Sequence, residues 1–349
     1  MKNVSLSGAP QLCTSGSRDR TYISGTGAAL PSIRLTNEDL SGFLDTSDDW
    51  ITERVGIKCR YICSPKETTV SMAEDAARQA LMQAGLSAEE LDLIVFATVT
   101  PDQQLPSAAA LLAQRLGVNN TLAFDVKAAC AGFLAAMATA DSLLQSMGLT
   151  HALVIGSESL SRMIDWSDRT TAVLFGDGAG ACILSRPLEA SAGAVVASHL
   201  CTDGSAAQFI ERPGKPFPEP VAPATAQLNQ QLSPYVRMSG REVFRAGIQH
   251  MTSSILEVLK TAAKSIEDVA LFIPHQSNSR MITSVARNVG LDDHSKISSN
   301  IESVGNTSAA SIPIALHECV LADRVQPGDL LLLTAVGSGM MYGSILLEW

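Results

Sequence analysis

The 349-residue chain has no apolar run long enough to cross a membrane. Its longest apolar runs, such as LLLLTAV at 330–336, fall far short of the roughly 18 residues that a transmembrane helix needs. Residues 1–20 also lack the apolar centre of a secretory signal and are instead rich in Ser, Gly and Thr. We therefore expect a flexible N-terminal extension over 1–20 and a cytoplasmic globular protein without a membrane partner.

Paired cysteines and metal-ligand spacings are also missing. The seven cysteines, at positions 13, 59, 63, 130, 182, 201 and 319, contain no Cys-x-x-Cys pair, and a chain of this size does not depend on disulfides. Along the sequence, the six histidines also lack the spacing from cysteines or carboxylates that is typical of metal ligands. The sequence predicts reduced thiols, no structural metal and no cofactor.

An excess of positive charge is absent as well. Lys and Arg number 25 against 35 Asp and Glu, which gives a net charge of −10. Nucleic-acid binding requires a basic surface, so this class of partner is excluded, and any anionic ligand must be bound by a local cluster. With 46% hydrophobic residues, the chain can bury a large core, as one domain or two similar ones.

Strand-like apolar runs alternate with helical patterns, which is typical of an α/β protein. The pattern also repeats: AEELDLIVFAT at 88–98 resembles SIEDVALFIPH at 265–275, and AQRLGV at 113–118 resembles ARNVGL at 286–291. The sequence therefore predicts two similar halves, 21–190 and 191–349.

A proline-rich segment interrupts this pattern. Residues 213–234 contain six of the fifteen prolines, which indicates a surface loop rather than a strand or helix. The loop could border a ligand entrance, or it could be a long connection without a role.

Cys130 stands between a strand-like FDV and an alanine-rich helical run. Unpaired N–H groups and the helix dipole at a helix start favour a thiolate, so this position suits a nucleophile. The alternative is a small buried structural cysteine.

The positions of His275 and Asn306 favour the interpretation of Cys130 as a nucleophile over that of a structural cysteine. His275 directly follows a buried strand, where side chains of an open α/β sheet reach the site region. Asn306 stands at the start of the repeated helix, in the position that Cys130 holds in the first half. Because two similar halves would bring their helix starts together, we expect the three side chains to share one pocket.

Five motifs in matching order resemble the 3-oxoacyl-[acyl-carrier-protein] synthase III family, and the likeness extends from about Tyr22 to Trp349. They are DTSDDWITERVGI (45–57), DVKAACAGF (125–133), VLFGDGAGA (173–181), IPHQSN (273–278) and GNTSAAS (305–311). The FGDGAGA stretch lacks the strand, glycine loop and helix order of a dinucleotide site, so we interpret it as a structural turn. The resemblance implies a thiolase-like α/β fold of two pseudo-symmetric halves, each with a mixed five-stranded sheet, layered α-β-α-β-α.

The resemblance also implies a decarboxylative condensation of acyl-CoA with malonyl-acyl carrier protein that initiates fatty-acid synthesis. Cys130 would carry the acyl group as a thioester. His275 and Asn306 would donate hydrogen bonds to the malonyl thioester oxygen, and the backbone N–H groups of Cys130 and Ser338 would bind the tetrahedral oxyanion. Ser338 departs from the family's triple-glycine turn, so its backbone must permit a side chain.

Further residues follow from the same resemblance. Trp50 would stack on the adenine of CoA with Arg169 on the other face, Arg54 would bind phosphate, and Arg280 would line the entrance. Leu105, just before a proline, would reach the partner's acyl pocket in a homodimer. A phenylalanine stands there in acetyl-selective relatives, so the leucine predicts a deeper pocket.

Three alternatives belong to other classes of protein. A papain-like hydrolase would need a histidine beside the thiol as its base. A relative from secondary metabolism would keep the fold but join other acyl groups, or acylate hydroxyls and amines. A non-catalytic partner subunit would usually lack the cysteine or the histidine, and both are present.

Overall fold

The computed structural model describes residues 20–186, 194–213 and 234–349. Its strands are β1 Tyr22–Ala29, β2 Ile33–Thr36, β3 Cys59–Ile62, β4 Leu93–Ala97, β5 Leu122–Val126, β6 His151–Glu158, β7 Gly178–Ser185, β8 Ala194–Thr202, β9 Ile210–Glu211, β10 Arg237–Met238, β11 Leu271–Pro274, β12 Leu330–Val336 and β13 Met341–Glu348. Its α-helices are α1 Asn37–Ser41, α2 Asp48–Val55, α3 Thr69–Ala84, α4 Ala108–Leu116, α5 Gly132–Met147, α6 Arg169–Ala172, α7 Gly240–Thr261, α8 Ser279–Asn288, α9 Ile301–Val304 and α10 Ser311–Leu321.

Two mixed sheets with the same strand pattern form the frame. The first has the order β1-β7-β6-β4-β5, and the second has the order β8-β13-β12-β11. In both, the first two pairings are antiparallel and the next is parallel. This shared pattern is the structural form of the repeat that the sequence predicts.

The second sheet has four strands in the described residues, so the expectation of five strands in each half is wrong for this half. Where the fifth strand would pair with β11, a single parallel bridge joins Phe272 to Ile297. Ile297 follows directly on a short 3-10 helix, His294–Lys296, and one bridge residue is too short to count as a strand.

Five layers result from the way the helices cover the sheets. Helices α5 and α10 lie between the two sheets and contribute to one shared core, which includes Phe133, Met137, Ile312 and Leu316. Helices α3 and α4 pack on the outer face of the first sheet, and α7 and α8 pack on the outer face of the second. Because both faces of each sheet are covered, strands such as β12 are buried along their whole length.

The predicted limits of the halves are not tested by this architecture. The boundary at residue 190 lies within 187–193, and the extension lies almost wholly within 1–19, both outside the described residues. The division into 1–20, 21–190 and 191–349 therefore stays a prediction. Among the described residues, no helix has the length and apolar character to span a membrane.

Candidate active site

Four of the predicted site residues line one cavity of about 850 Å³. They are Cys130, His275, Asn306 and Ser338. The connections after β5, β11 and β12 place three of them, and the segment before α10 places Asn306. The cavity is also lined by Phe244 of α7 and other side chains that pack on the second sheet. The convergence that the sequence predicts for the cysteine, histidine and asparagine is therefore present.

Cys130 is the middle residue of a 3-10 helix, Ala129–Ala131, that leads into α5. The strand β12 ends directly against it, since a Cβ atom at Gly337 would lie 2.7 Å from the Cys130 nitrogen. Ala129 has a positive φ of 47°, which turns the chain sharply after β5. These contacts hold the sulfur at the cavity wall.

The expectation that the position of Cys130 favours a thiolate is wrong. Burial raises the pKa of the Cys130 thiol to about 11, a hydrogen bond from Ser308 lowers it, and the nearby carboxylate of Glu158 raises it. The helix-start argument is local, whereas removal of the sulfur from water acts more strongly and depends on the tertiary structure. The thiol is therefore protonated at neutral pH.

His275 is fully enclosed and neutral. Burial lowers the pKa of its imidazole to about 3. Its Nδ1 lies 2.9 Å from the Ser311 hydroxyl, which also accepts the Gln276 backbone N–H at 2.7 Å. A Ser311 hydroxyl that donates to Nδ1 leaves the ring proton on Nε2, where the imidazole can donate a hydrogen bond.

Asn306 is oriented by its own loop. Its Oδ1 accepts the Ser308 backbone N–H at 2.9 Å, and its Nδ2 has no hydrogen-bond partner among the described residues. Its backbone pairs with the VLFGDGAGA segment, donating to Leu174 O and accepting from Gly176 N, both at 3.0 Å. A Cβ atom at Gly176 would lie 2.6 Å from Val304 O, so this segment supports Asn306 as a close-packed turn.

The structure corrects the position of Asn306 in the repeat. The counterpart of the Cys130 helix is a second 3-10 helix, Ser308–Ala310, which leads into α10. Its middle residue, and thus the equivalent of Cys130, is Ala309. Asn306 lies three residues earlier, because a sequence comparison of helix starts does not register the 3-10 turn.

Ser338 fits the turn that it occupies. It is not among the residues with positive φ; its neighbour Gly339 has the φ of 130°. Its hydroxyl donates to Ile210 O. In the described part of the chain, the N–H groups of Ser338 and Cys130 do not donate to any other residue's backbone carbonyl. Both remain available to an oxyanion in the cavity.

Trp50, Arg54 and Arg169 form a separate cluster outside the cavity lining. The guanidinium carbons of Arg54 and Arg169 lie 4.6 Å and 5.2 Å from the Trp50 ring centre. An adenine between Trp50 and Arg169 needs about 7 Å, twice the usual contact distance. Arg169, which also pairs with the exposed Asp45 at 3.1 Å, must therefore move for the predicted sandwich to form.

Arg280 and Leu105 are exposed. Arg280 is the second residue of α8, where its N–H donates to Asn278 Oδ1, and Asn278 Nδ2 donates to Arg54 O at 3.3 Å. Leu105 is 86% exposed and is absent from the cavity wall, whereas its neighbour Gln104 lines the cavity. The roles of both residues stay predictions.

The predicted proline-rich loop over 213–234 lies mostly outside the described residues, which resume at 234. Its described flanks, Arg212, Pro213 and Val236, line the cavity. The prediction for the loop itself therefore lies outside the described residues.

Sequence reasoning missed Glu158 and the two serines of the second helix start. Ser308 and Ser311 stand within the GNTSAAS motif, but only the fold shows that they contact Cys130 and His275. Glu158 ends β6, and a carboxylate at the end of a strand that is apolar over ALVI was the available signal.

Comparisons with known proteins identify one family. A family model described as 3-Oxoacyl-[acyl-carrier-protein (ACP)] synthase III matches residues 124–204, and the model of the C terminal of the same family matches 259–349. Beta-ketoacyl-[acyl-carrier-protein] synthase III of Rhodospirillum centenum is 45% identical over 333 residues, 95% of this chain and 99% of the relative.

Two solved structures extend the comparison. The 3-oxoacyl-[acyl-carrier-protein] synthase III of Aquifex aeolicus is 43% identical with a TM-score of 0.85, covering 94% of this chain and 100% of its own. The priming β-ketosynthase of the R1128 polyketide biosynthetic pathway is 31% identical with a TM-score of 0.85, covering 97% and 98%.

The thiolase-like layers and the contents of the cavity define an acyltransferase of the condensing-enzyme class. Identity at this level extends over nearly the whole length of the relatives. The chain belongs to the 3-oxoacyl-[acyl-carrier-protein] synthase III family.

Proposed function

We propose that this protein condenses an acyl-CoA primer with malonyl-acyl carrier protein, giving 3-oxoacyl-acyl carrier protein, CoA and CO₂ and initiating fatty-acid synthesis. The observation that carries the proposal is the shared cavity of Cys130, His275 and Asn306. The names of the relatives support the carrier-protein substrate.

In the first half-reaction, the Cys130 sulfur attacks the thioester carbonyl of acyl-CoA. The N–H groups of Cys130 and Ser338 bind the oxyanion of the tetrahedral intermediate, which then expels CoA and leaves the acyl group on Cys130. In the described structure, neither N–H donates a hydrogen bond to another backbone carbonyl. Oxyanion binding therefore does not require such a hydrogen bond to break.

In the second half-reaction, the malonyl thioester loses CO₂ and its enolate carbon attacks the acyl-Cys130 carbonyl. His275 Nε2–H and Asn306 Nδ2–H donate to the enolate oxygen as negative charge develops there. A neutral histidine suits this step, because its proton is held as a hydrogen-bond donor rather than as a charge. The amide of Asn306 donates without titrating.

CoA enters past the cluster of Trp50, Arg54 and Arg169, with Arg280 beside it. Arg54 and Arg169 supply local positive charge in a chain of net charge −10. A ligand that carries phosphates requires such local charge. Adenine between Trp50 and Arg169 needs more than the present 5.2 Å, so CoA binding displaces the Arg169 guanidinium.

The protein acts in the cytoplasm as a homodimer in this proposal. An 86% exposed leucine at position 105 favours burial against a second copy, where it would reach the partner's acyl pocket. Sedimentation of the purified chain tests the dimer, and a monomer that is fully active would contradict it.

A pathway-specific role in secondary metabolism is the second candidate. Similarity to a priming β-ketosynthase of a polyketide pathway favours it, although the identity of 31% is lower than that to the fatty-acid relatives. Incubation with malonyl-acyl carrier protein and a panel of acyl-CoAs decides between them. Formation of 3-oxoacyl-acyl carrier protein from short primers supports the first, whereas turnover only with another acceptor supports the second.

A further inference from the structure

Glu158 is a buried carboxylate close to the nucleophile, and the half-reactions above give it no role. Its side chain has no exposure to solvent. One oxygen accepts the hydroxyls of Thr98 at 3.1 Å and Thr100 at 2.6 Å, and the Val99 N–H lies 3.0 Å away. No cationic side chain pairs with it in the described residues. An ionised carboxylate without a cation is costly to bury, so its presence requires a reason.

Ser308 connects Glu158 to Cys130. Its hydroxyl lies 3.3 Å from Glu158 Oε1, and it is close enough to Cys130 to lower the pKa of the thiol. Its backbone is fixed by Asn306 Oδ1 and adopts a positive φ of 51°, a conformation that only a well-packed environment maintains in a serine. The hydroxyl is thus held between the carboxylate and the sulfur.

The loading step requires a proton acceptor, because the Cys130 thiol is protonated at neutral pH. His275 is a poor acceptor, since burial lowers its pKa to about 3 and its Nδ1 is engaged by Ser311. Burial raises the pKa of Glu158 to about 7, despite the hydrogen bonds that oppose the shift. A general base acts best when its pKa lies near the working pH.

We propose that Glu158 accepts the proton of Cys130 through the Ser308 hydroxyl during acylation, an inference that rests on the proposed function. As the sulfur bonds to the acyl carbon, its proton passes to Ser308 Oγ, and the Ser308 proton passes to Glu158 Oε1. When the bond to CoA breaks, the same protons return in reverse order and protonate the departing CoA thiolate. Glu158 is then again a carboxylate and Ser308 again a hydroxyl, and no group is oxidised or reduced.

The pH profile of single-turnover acylation tests this relay. The full chain is mixed with acetyl-CoA or octanoyl-CoA, quenched rapidly, and its acylated fraction is measured by intact mass from pH 5.5 to 9.5. The titratable group that faces Glu158 is Cys130, and the other groups at the carboxylate are hydroxyls and a backbone N–H. We expect the wild-type rate to rise through an inflection near pH 7, because Glu158 must lose its proton to act, and then to level off.

Glu158→Gln keeps the shape of the side chain but removes the base. Its acylation at pH 7 should fall by about 10²- to 10⁴-fold, the range for loss of a general base. The rate should then rise about tenfold per pH unit toward pH 9.5, since hydroxide-dependent thiolate formation replaces the relay and the deficit narrows. Ser308→Ala should show the same profile, and Ala129 at φ 47° shows that this chain accommodates alanine at such an angle.

Glu89→Gln, at an exposed position in the short 3-10 helix Ala88–Glu90, is the matched control and should retain the wild-type rate and profile. Thermal unfolding of each variant verifies that it folds. A wild-type acylation rate and pH profile in Glu158→Gln would overturn the relay but not the proposed function. A fall in acylation rate that is equal at every pH would do the same, because it would indicate a structural role for Glu158. A wild-type protein that no acyl-CoA acylates would overturn the proposed function and the relay with it.

Discussion

Removal of the Asn306 or His275 side chain should separate the two half-reactions. Asn306→Ala and His275→Ala each delete one donor to the enolate oxygen and leave the Cys130 sulfur and both oxyanion N–H groups in place. Loss of one such donor typically costs about 10²- to 10³-fold in rate, or about 2.7 to 4 kcal/mol. Decarboxylation of malonyl-acyl carrier protein should fall by that factor.

Loading should be affected much less, within about tenfold of wild type. In Asn306→Ala the Ser308 N–H loses its acceptor, so a modest loss of loading is expected from a less well-held hydroxyl. In His275→Ala the Ser311 hydroxyl loses the ring but still accepts the Gln276 N–H, so the local backbone is retained.

The assay measures both steps on the same protein sample. Intact mass after incubation with acyl-CoA reports loading, and CO₂ release from malonyl-acyl carrier protein reports decarboxylation. Asn288→Ala, an exposed asparagine at the end of α8, is a matched control for the substitution itself. An equal fall of both steps in His275→Ala would refute the reasoning, because it would place the imidazole in thiol activation or in folding.

Three further predictions concern specificity, CoA binding and the oxyanion site, and a fourth concerns stability. Leu105→Phe should raise the ratio of acylation by acetyl-CoA to that by octanoyl-CoA, and an unchanged ratio would remove Leu105 from the specificity argument. Trp50→Ala should weaken CoA binding about tenfold or more in calorimetry, since one stacked base contributes roughly 1–3 kcal/mol; unaltered affinity would place the adenine elsewhere. Gly337→Ala should slow acylation about 10²-fold or more, because its Cβ would lie 2.7 Å from the Cys130 nitrogen, whereas Gly204→Ala, with no atom within 4 Å, should not. Burial lowers the pKa of His275 to about 3 in the folded chain, against 6.5 for an exposed imidazole. As the pH falls, the unfolded chain therefore binds this proton before the folded chain does. The contribution of His275 to the free energy of unfolding should therefore fall by about 1.4 kcal/mol per pH unit from pH 6.5 toward 3, and a difference between wild type and His275→Gln that is independent of pH would contradict this.

The fold was largely predictable because its strands are buried on both faces. Runs such as LIVFA in β4, ALVI in β6 and LLLL in β12 are apolar without alternation, which local sequence reveals directly. The number of strands in the second sheet was not predictable. Among the described residues, only Ile297 pairs with β11 where a fifth strand would stand, through a single bridge, which is too short to form that strand. Sequence similarity between the halves does not specify how many residues pair with a neighbour.

The site was predictable in its reactive side chains but not in its electrostatics. Cys130, His275 and Asn306 stand at element ends that the sequence marks. The contact of Cys130 with Ser308 and Glu158 joins segments far apart in the chain. The sign of the thiol's pKa shift depends on how deeply those segments bury it, which a local helix-start argument does not contain.

Intact-protein mass spectrometry on Cys130 tests the central claim most directly. After incubation with acyl-CoA and removal of excess substrate, the wild-type chain should gain one acyl mass, which peptide mapping places on Cys130, and malonyl-acyl carrier protein should then discharge it as 3-oxoacyl-acyl carrier protein. Cys130→Ala should gain no mass. An acyl group on another cysteine, or an acyl-Cys130 that malonyl-acyl carrier protein leaves intact, would contradict the account.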